Sequence, residues 1–206
     1  MAYGIQILKP DGTLWLSPDV TPLNLIQKIR VNTNNTYQTT IPSGKSCVGF
    51  VRTDANTCFE VKFINSGSNW SFTVAKGAGS GWVYVFSNIA LVESGYGIKL
   101  FNETGGLIYT TDSIPLQVEK YPVTNQGDDT VIVDIGKQVA VLSALVATRL
   151  TALDLPTQMF LFGYNWSLAF GNSIGHRATY SEQVQGQRPT FKFKEYLYYI
   201  DCSIYD

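Results

Sequence analysis

The chain has 206 residues, of which 45% are hydrophobic, 13% aromatic and only 15% charged. An average soluble domain carries roughly 25% charge, and a disordered chain shows the reverse balance, so disorder as the main state is excluded. Fifteen basic residues against sixteen acidic ones give a net charge of -1, which leaves no cationic excess for neutralising phosphates and excludes nucleic-acid binding through a basic surface.

In chain order, the first element is a hairpin. Ile5-Gln6-Ile7 and Leu14-Trp15-Leu16 flank Lys9-Pro10-Asp11-Gly12, where Gly12 can supply the positive φ of a bulged turn. Alternation with period two then predicts strands at Cys47 to Arg52, Cys58 to Ile64, Trp70 to Ala75, Trp82 to Phe86, Tyr96 to Phe101 and Gly106 to Thr111. Further strands are predicted at Met159 to Phe162, Trp166 to Phe170 and Thr190 to Ile204. Turn clusters at 65–69, 77–81 and 125–129, rich in Gly, Asn and Ser, separate them. The predicted fold is all-β, an antiparallel sandwich or barrel.

One segment, 136–153, is open to two readings. Ile135, Val139, Leu142, Val146, Leu150 and Leu153 recur at the three-to-four spacing of a short helix. Thr130 to Ile135 instead alternates like a strand, and Gly136 interrupts any helix starting there. Residues 1–122 are read as a β-sandwich carrying two related hairpins. Residues 123–206 are read as a second β-rich region, either a small domain or an extension of the same sandwich.

The two hairpins are related by an internal repeat. Tyr3, Gly4, Ile5, Gly12, Leu14, Asp19, Pro22 and Leu23 recur at a constant offset as Tyr96, Gly97, Ile98, Gly105, Leu107, Asp112, Pro115 and Leu116. Ile5, Ile7, Leu14 and Leu16 keep their phase as Ile98, Leu100, Leu107 and Tyr109. A conserved phase predicts that this face is buried in both copies. Leu8 and Trp15 in the first hairpin, and Phe101 and Ile108 in the second, then fall on the opposite face. Apolar residues on both faces fit burial on two sides, which makes Trp15, Leu8, Phe101 and Ile108 the candidate contacts to a partner.

Catalytic motifs fail on geometry. Gly171-Asn172-Ser173-Ile174-Gly175 matches a G-x-S-x-G nucleophile elbow. The only histidine, His176, lies three residues past Ser173, inside the stretch that should be a helix. Gly44-Lys45-Ser46 lacks the leading glycine of a phosphate loop, since Thr39 stands there, and Pro42 removes an amide donor. Gly77 to Gly81 precedes a predicted strand rather than a helix, and reads as a hairpin tip. Cys47, Cys58 and Cys202 are odd in number and show no C-x-x-C spacing, so neither a disulfide framework nor a metal site is read from them. The expectation is a protein without catalysis, metal or cofactor. Lacking a basic n-region and any apolar run of roughly 18 residues, the sequence also predicts neither signal peptide nor membrane span. Trp70 and Trp82, flanking the glycine-rich tip, are the candidate contacts for a glycan or receptor, because aromatic faces stack on sugars and anchor interfaces.

The repeated Tyr-Gly-Ile segment, starting at Met1-Ala2-Tyr3-Gly4 and returning at Tyr96-Gly97-Ile98, resembles the opening of small structural proteins of tailed-bacteriophage tails. The resemblance covers residues 3 to about 118 in pattern, and the chain departs from it in its Lys9-Pro10 turn. It implies a virion subunit at the tail tip, made in the host bacterial cytoplasm and assembled in several copies beside the hub or fibre proteins. Contact with a host-surface receptor, as a carbohydrate-binding module, is the alternative it implies. The resemblance brings no catalytic residues.

Overall fold

The computed structural model describes residues 7–8, 10, 12, 14–16, 21–91, 97–124, 130–154, 159–185 and 194–206. No α-helix occurs among them. The fold is all-β, with largely antiparallel sheets that curl into a half-barrel.

The amino-terminal part builds a sandwich. Strands β1 (Ile7–Leu8) and β2 (Leu14–Leu16) form the first hairpin. Strands β3 (Asn24–Asn32), β4 (Asn35–Pro42), β5 (Val48–Thr53), β6 (Glu60–Ile64), β7 (Asn69–Lys76) and β8 (Ser80–Ser87) follow. They divide into two layers, β3-β8-β5 and β4-β7-β6. Val31, Val51, Val83 and Val85 of the first layer meet Ile41, Val61, Phe72 and Val74 of the second. Side chains in β8 point alternately to opposite faces. Val83 and Val85 therefore enter this core, while Tyr84 and Phe86 enter another on the far side with Phe50, Ala140, Ile200, Cys202 and Tyr205. Burial on both faces explains why Trp82 to Phe86 reads as one continuous apolar run.

The second hairpin consists of β9 (Lys99–Phe101) and β10 (Leu107–Thr110). Beyond it lie β11 (Glu119–Pro122), β12 (Thr130–Asp134), β13 (Val139–Leu142) and β14 (Leu145–Asp154). Strands β15 (Met159–Phe170), β16 (Ser173–Gln185) and β17 (Tyr196–Asp201) complete the set, and a 3-10 turn at Cys202–Ile204 follows. Strand β13 bonds β5 on one side and β17 on the other, so strand pairing is continuous across residue 122. Strands β14, β15, β16 and β12 lie side by side. This group reaches β5 through the single parallel bridge of Phe170 with Thr53. Val139, Val141, Val146, Ala169, Ile174, Leu197 and Tyr199 form the core beneath.

Three outcomes bear on the sequence reading. The segment 136–153 is strand, not helix: its residues 139–142 and 145–154 are β13 and β14. Its three-to-four apolar spacing arises because Val139, Val141 and Val146 face one core while Ala140 faces another. Strand β3 carries a bulge between Leu25 and Gln27. The bulge turns Ile26 toward the same core as Ile29 and Val31 and breaks the alternation that would have revealed the strand.

The third outcome concerns the repeat. Gly12 and Gly105 occupy equivalent turn positions with φ of 81° and 79°, a conformation costly for any residue bearing a Cβ. The two copies also meet at their ends, where Asn24 bridges Pro115 in antiparallel sense. Leu116 N–H donates to Leu23 O at 2.7 Å, and Leu25 N–H to Ile114 O at 2.9 Å. Leu23 and Leu116 are the same position of the repeat, so the two copies meet at equivalent points of the chain.

Candidate docking surface

The β9–β10 hairpin is built by its turn. Asn102 Oδ1 accepts from Gly106 N at 2.6 Å, Thr104 N at 3.1 Å and Thr104 Oγ1 at 2.9 Å. A side-chain acceptor thus replaces backbone partners and closes the loop. At the base, Thr110 Oγ1 donates to Leu91 O at 3.2 Å and lies 3.0 Å from Ser113 Oγ, both threonine and serine being buried.

Between those ends Ile98 and Ile108 take the reverse of their expected placement. Leu107 pairs with Phe101 and Tyr109 with Leu100, and a bulge falls between them at Ile108. Freed from the ladder, Ile108 turns into the body of the protein and is 4% exposed. Ile98, on the face expected to be buried, is instead 63% exposed, and Leu100, Leu107 and Tyr109 on that face are only half-buried. Phe101 is 53% exposed. Ile108 is therefore core and not a surface contact, and the burial expected of Ile98 is corrected to exposure. Leu8 and Trp15 are placed in β1 and β2 by their backbones; their side chains, like all of Ile5, lie outside the described residues.

The two tryptophans are not brought together. Trp70 is half-buried against the sandwich core and its indole N–H donates to Lys45 O at 2.7 Å. Trp82 packs against the core on the far side of β8. Lys28 Nζ lies 4.6 Å and the Arg30 guanidinium carbon 5.1 Å from its ring centroid. Its aromatic surface is thus already engaged by cations of the same chain.

The G-x-S-x-G stretch is a β-hairpin. Gly171 and Asn172 turn β15 into β16, with Phe170 opposite Ser173. Residues three apart in a strand point to opposite faces, so Ser173 and His176 diverge. His176 is buried, with its Nδ1 3.2 Å from Asn165 Nδ2. The elbow needs a strand entering a helix with its serine within reach of a histidine, and neither feature is present. Among the described residues no group of three or more His, Cys, Asp or Glu side chains could hold a metal ion, and no helix is long and apolar enough to cross a membrane.

A constellation that sequence inspection missed ties strands β3, β5 and β8 to Asp206. Its carboxylate accepts from Lys28 Nζ at 2.8 Å, Tyr84 Oη at 2.5 Å and Arg52 at 3.1 Å. Burial pushes the Asp206 carboxyl up, but the hydrogen bonds from Lys28, Tyr84 and Arg52 outweigh it and hold the group below the usual carboxylate range. Burial and the bond to Asp206 push the Tyr84 hydroxyl far up. Neutral phenol and charged carboxylate thus fix each other, which makes this a clamp and not an acid-base pair. No local signal marks it, because its members are separated by up to 178 positions.

Compared with protein-family models, with curated proteins and with solved structures, the chain matches none.

Proposed function

We propose that this protein is a non-catalytic structural subunit of a bacteriophage tail, docked at the tail tip against hub or fibre proteins. The observation that carries the docking part is the β9–β10 hairpin, which leaves Ile98 63% and Phe101 53% exposed. A two-stranded sheet is marginally stable alone in water and gains from being covered on its free face. Obligate subunit interfaces are more apolar than ordinary surface. The tail assignment rests on the resemblance of the repeated Tyr-Gly-Ile segment to tail structural proteins, and the virion is then the place where the protein acts.

The test is complementation of particles lacking the protein, with localisation by cryo-microscopy. Wild-type protein should be found at the tail tip. The Ile98→Ser, Phe101→Ser variant should fold, stay in solution and fail to incorporate. Incorporation of that variant at the wild-type level would remove the hairpin from the interface, and absence of wild-type protein from particles would remove the assignment itself.

A further inference from the structure

A cavity of about 270 Å³ lies where three separate stretches meet: the β5–β6 loop, the β7–β8 turn and strand β16. Its walls come from Thr57, Lys76, Gly77, Ala78, Arg177 and Thr179, with Cys58 behind them. The volume falls just below the roughly 300 Å³ at which pockets for drug-sized ligands begin. No aromatic side chain and no carboxylate line it, whereas two cations do. In a chain of net charge -1, that pairing is a local reversal of sign. Neither an apolar ligand nor a cation suits such walls.

Each wall is held in place. Gly77 has a φ of 118°, and a Cβ there would stand 2.4 Å from the Cys58 carbonyl oxygen, so the turn can approach this closely only as glycine. Ala78 N–H donates to Thr57 Oγ1 at 3.3 Å and fixes the turn to the β5–β6 loop. Arg177 donates from one guanidinium nitrogen to Asn56 O at 2.7 Å. A guanidinium carries five donors, so this bond orients the fork without exhausting it. Thr179 Oγ1 donates to Tyr164 O at 3.3 Å. Lys76 Nζ lies 3.6 Å from Oε2 of the buried Glu60 and Lys62 Nζ 3.0 Å from its Oε1, so two lysines share that one carboxylate and the local excess of positive charge remains. Burial pushes the Cys58 thiol up to about 12. It therefore stays neutral at physiological pH and adds no negative charge to the wall.

We infer that this cavity binds a compact oxyanion, a phosphate or sulfate group, held between Lys76 and Arg177 beside the Gly77 turn. Arginine matches the geometry of such groups with paired donors, and lysine supplies a point charge opposite. The group could be a free ion or the substituent of a small sugar, since the space beyond it is smaller than a drug-sized ligand requires.

Thermal unfolding of the whole protein tests this at constant ionic strength with three probes: inorganic phosphate, glucose 6-phosphate and chloride. Phosphate or the sugar phosphate should raise the midpoint saturably, and chloride should not. A stronger effect of glucose 6-phosphate identifies a sugar-borne group, and an equal effect identifies the free oxyanion. Arg177→Gln should weaken binding by about tenfold, as expected for loss of a charge-assisted pair. Lys76→Gln should weaken it several-fold, and Lys45→Gln, an exposed lysine on the β4–β5 connection, should leave it unchanged. Should Arg177→Gln fail to fold, the Lys76→Gln arm decides. No saturable shift with either phosphate probe, an equal shift with chloride, or unchanged binding in Lys76→Gln and Arg177→Gln would overturn the inference.

Discussion

Tyr84 and Asp206 share a 2.5 Å hydrogen bond across 122 positions of sequence, with the phenol fully buried and the carboxylate also bonded to Lys28 and Arg52. The carboxyl is held below its ordinary value, so its folded-state pKa lies under its unfolded one. Such a group stabilises the fold at every pH above the unfolded value, about 4, and loses that contribution as pH falls through the folded value. Acid unfolding followed by circular dichroism should show Asp206→Asn less stable than wild type at pH 7, by about 2 kcal/mol. The difference should shrink below pH 4. A difference that stays constant to pH 2 would mean that the carboxylate's charge contributes nothing.

Cysteine reactivity offers a second measurement. Burial pushes both the Cys47 and the Cys58 thiols up to about 12, and also raises Cys202. Thiolate is the reactive species. At pH 8 an aromatic disulfide reagent should therefore label the folded protein slowly and the denatured chain fully, at three thiols. Rapid labelling of any one thiol in the native state would contradict its described burial.

Ser143 links two sheets with one hydroxyl, accepting from Val61 N at 3.1 Å and donating to Phe59 O at 2.8 Å. Replacement by Ala strands a partly buried donor and acceptor together. Denaturant unfolding should report a loss of about 1–2 kcal/mol for Ser143→Ala. A loss below about 0.3 kcal/mol would show that water replaces the hydroxyl at this junction.

The second hairpin holds one buried and one exposed apolar side chain whose costs should differ. Ile108 is core, so Ile108→Ala should cost about 2–4 kcal/mol in denaturant unfolding. Phe101→Ser, at an exposed site, should change stability by no more than about 0.5 kcal/mol. Equal costs for the two would mean that Phe101 is as buried as Ile108.

Strands were legible where both faces obey simple alternation. Trp70 to Ala75 and Trp82 to Phe86 fall within β7 and β8 almost as read. Strand β3 was not legible, because the bulge beside Ile26 shifts its phase, and β4 hid because Thr39 takes a buried position that an apolar residue would normally mark. Most of β16 was masked by its own motif, since Gly171 to Gly175 reads as a catalytic turn until the strand on either side is seen. In the second hairpin Ile98 and Ile108 were read with the wrong sense, while Phe101 is exposed. Whether Ile98 or Ile108 points inward depends on a bulge that alternation cannot locate. Lys76 and Arg177 carried no signal at all, since the cavity that both line is formed only in the fold.

The step between Leu23 and Leu116 bears on stoichiometry. One chain carries two copies of the same hairpin, as a homodimer carries one copy on each subunit. A neighbour offering a ring of equivalent sites to these hairpins would be saturated by half as many chains as it has sites. Under the proposed docking role, seating the first hairpin would hold the second at an effective concentration set by the fold rather than by supply. Counting chains per particle would read that ratio directly.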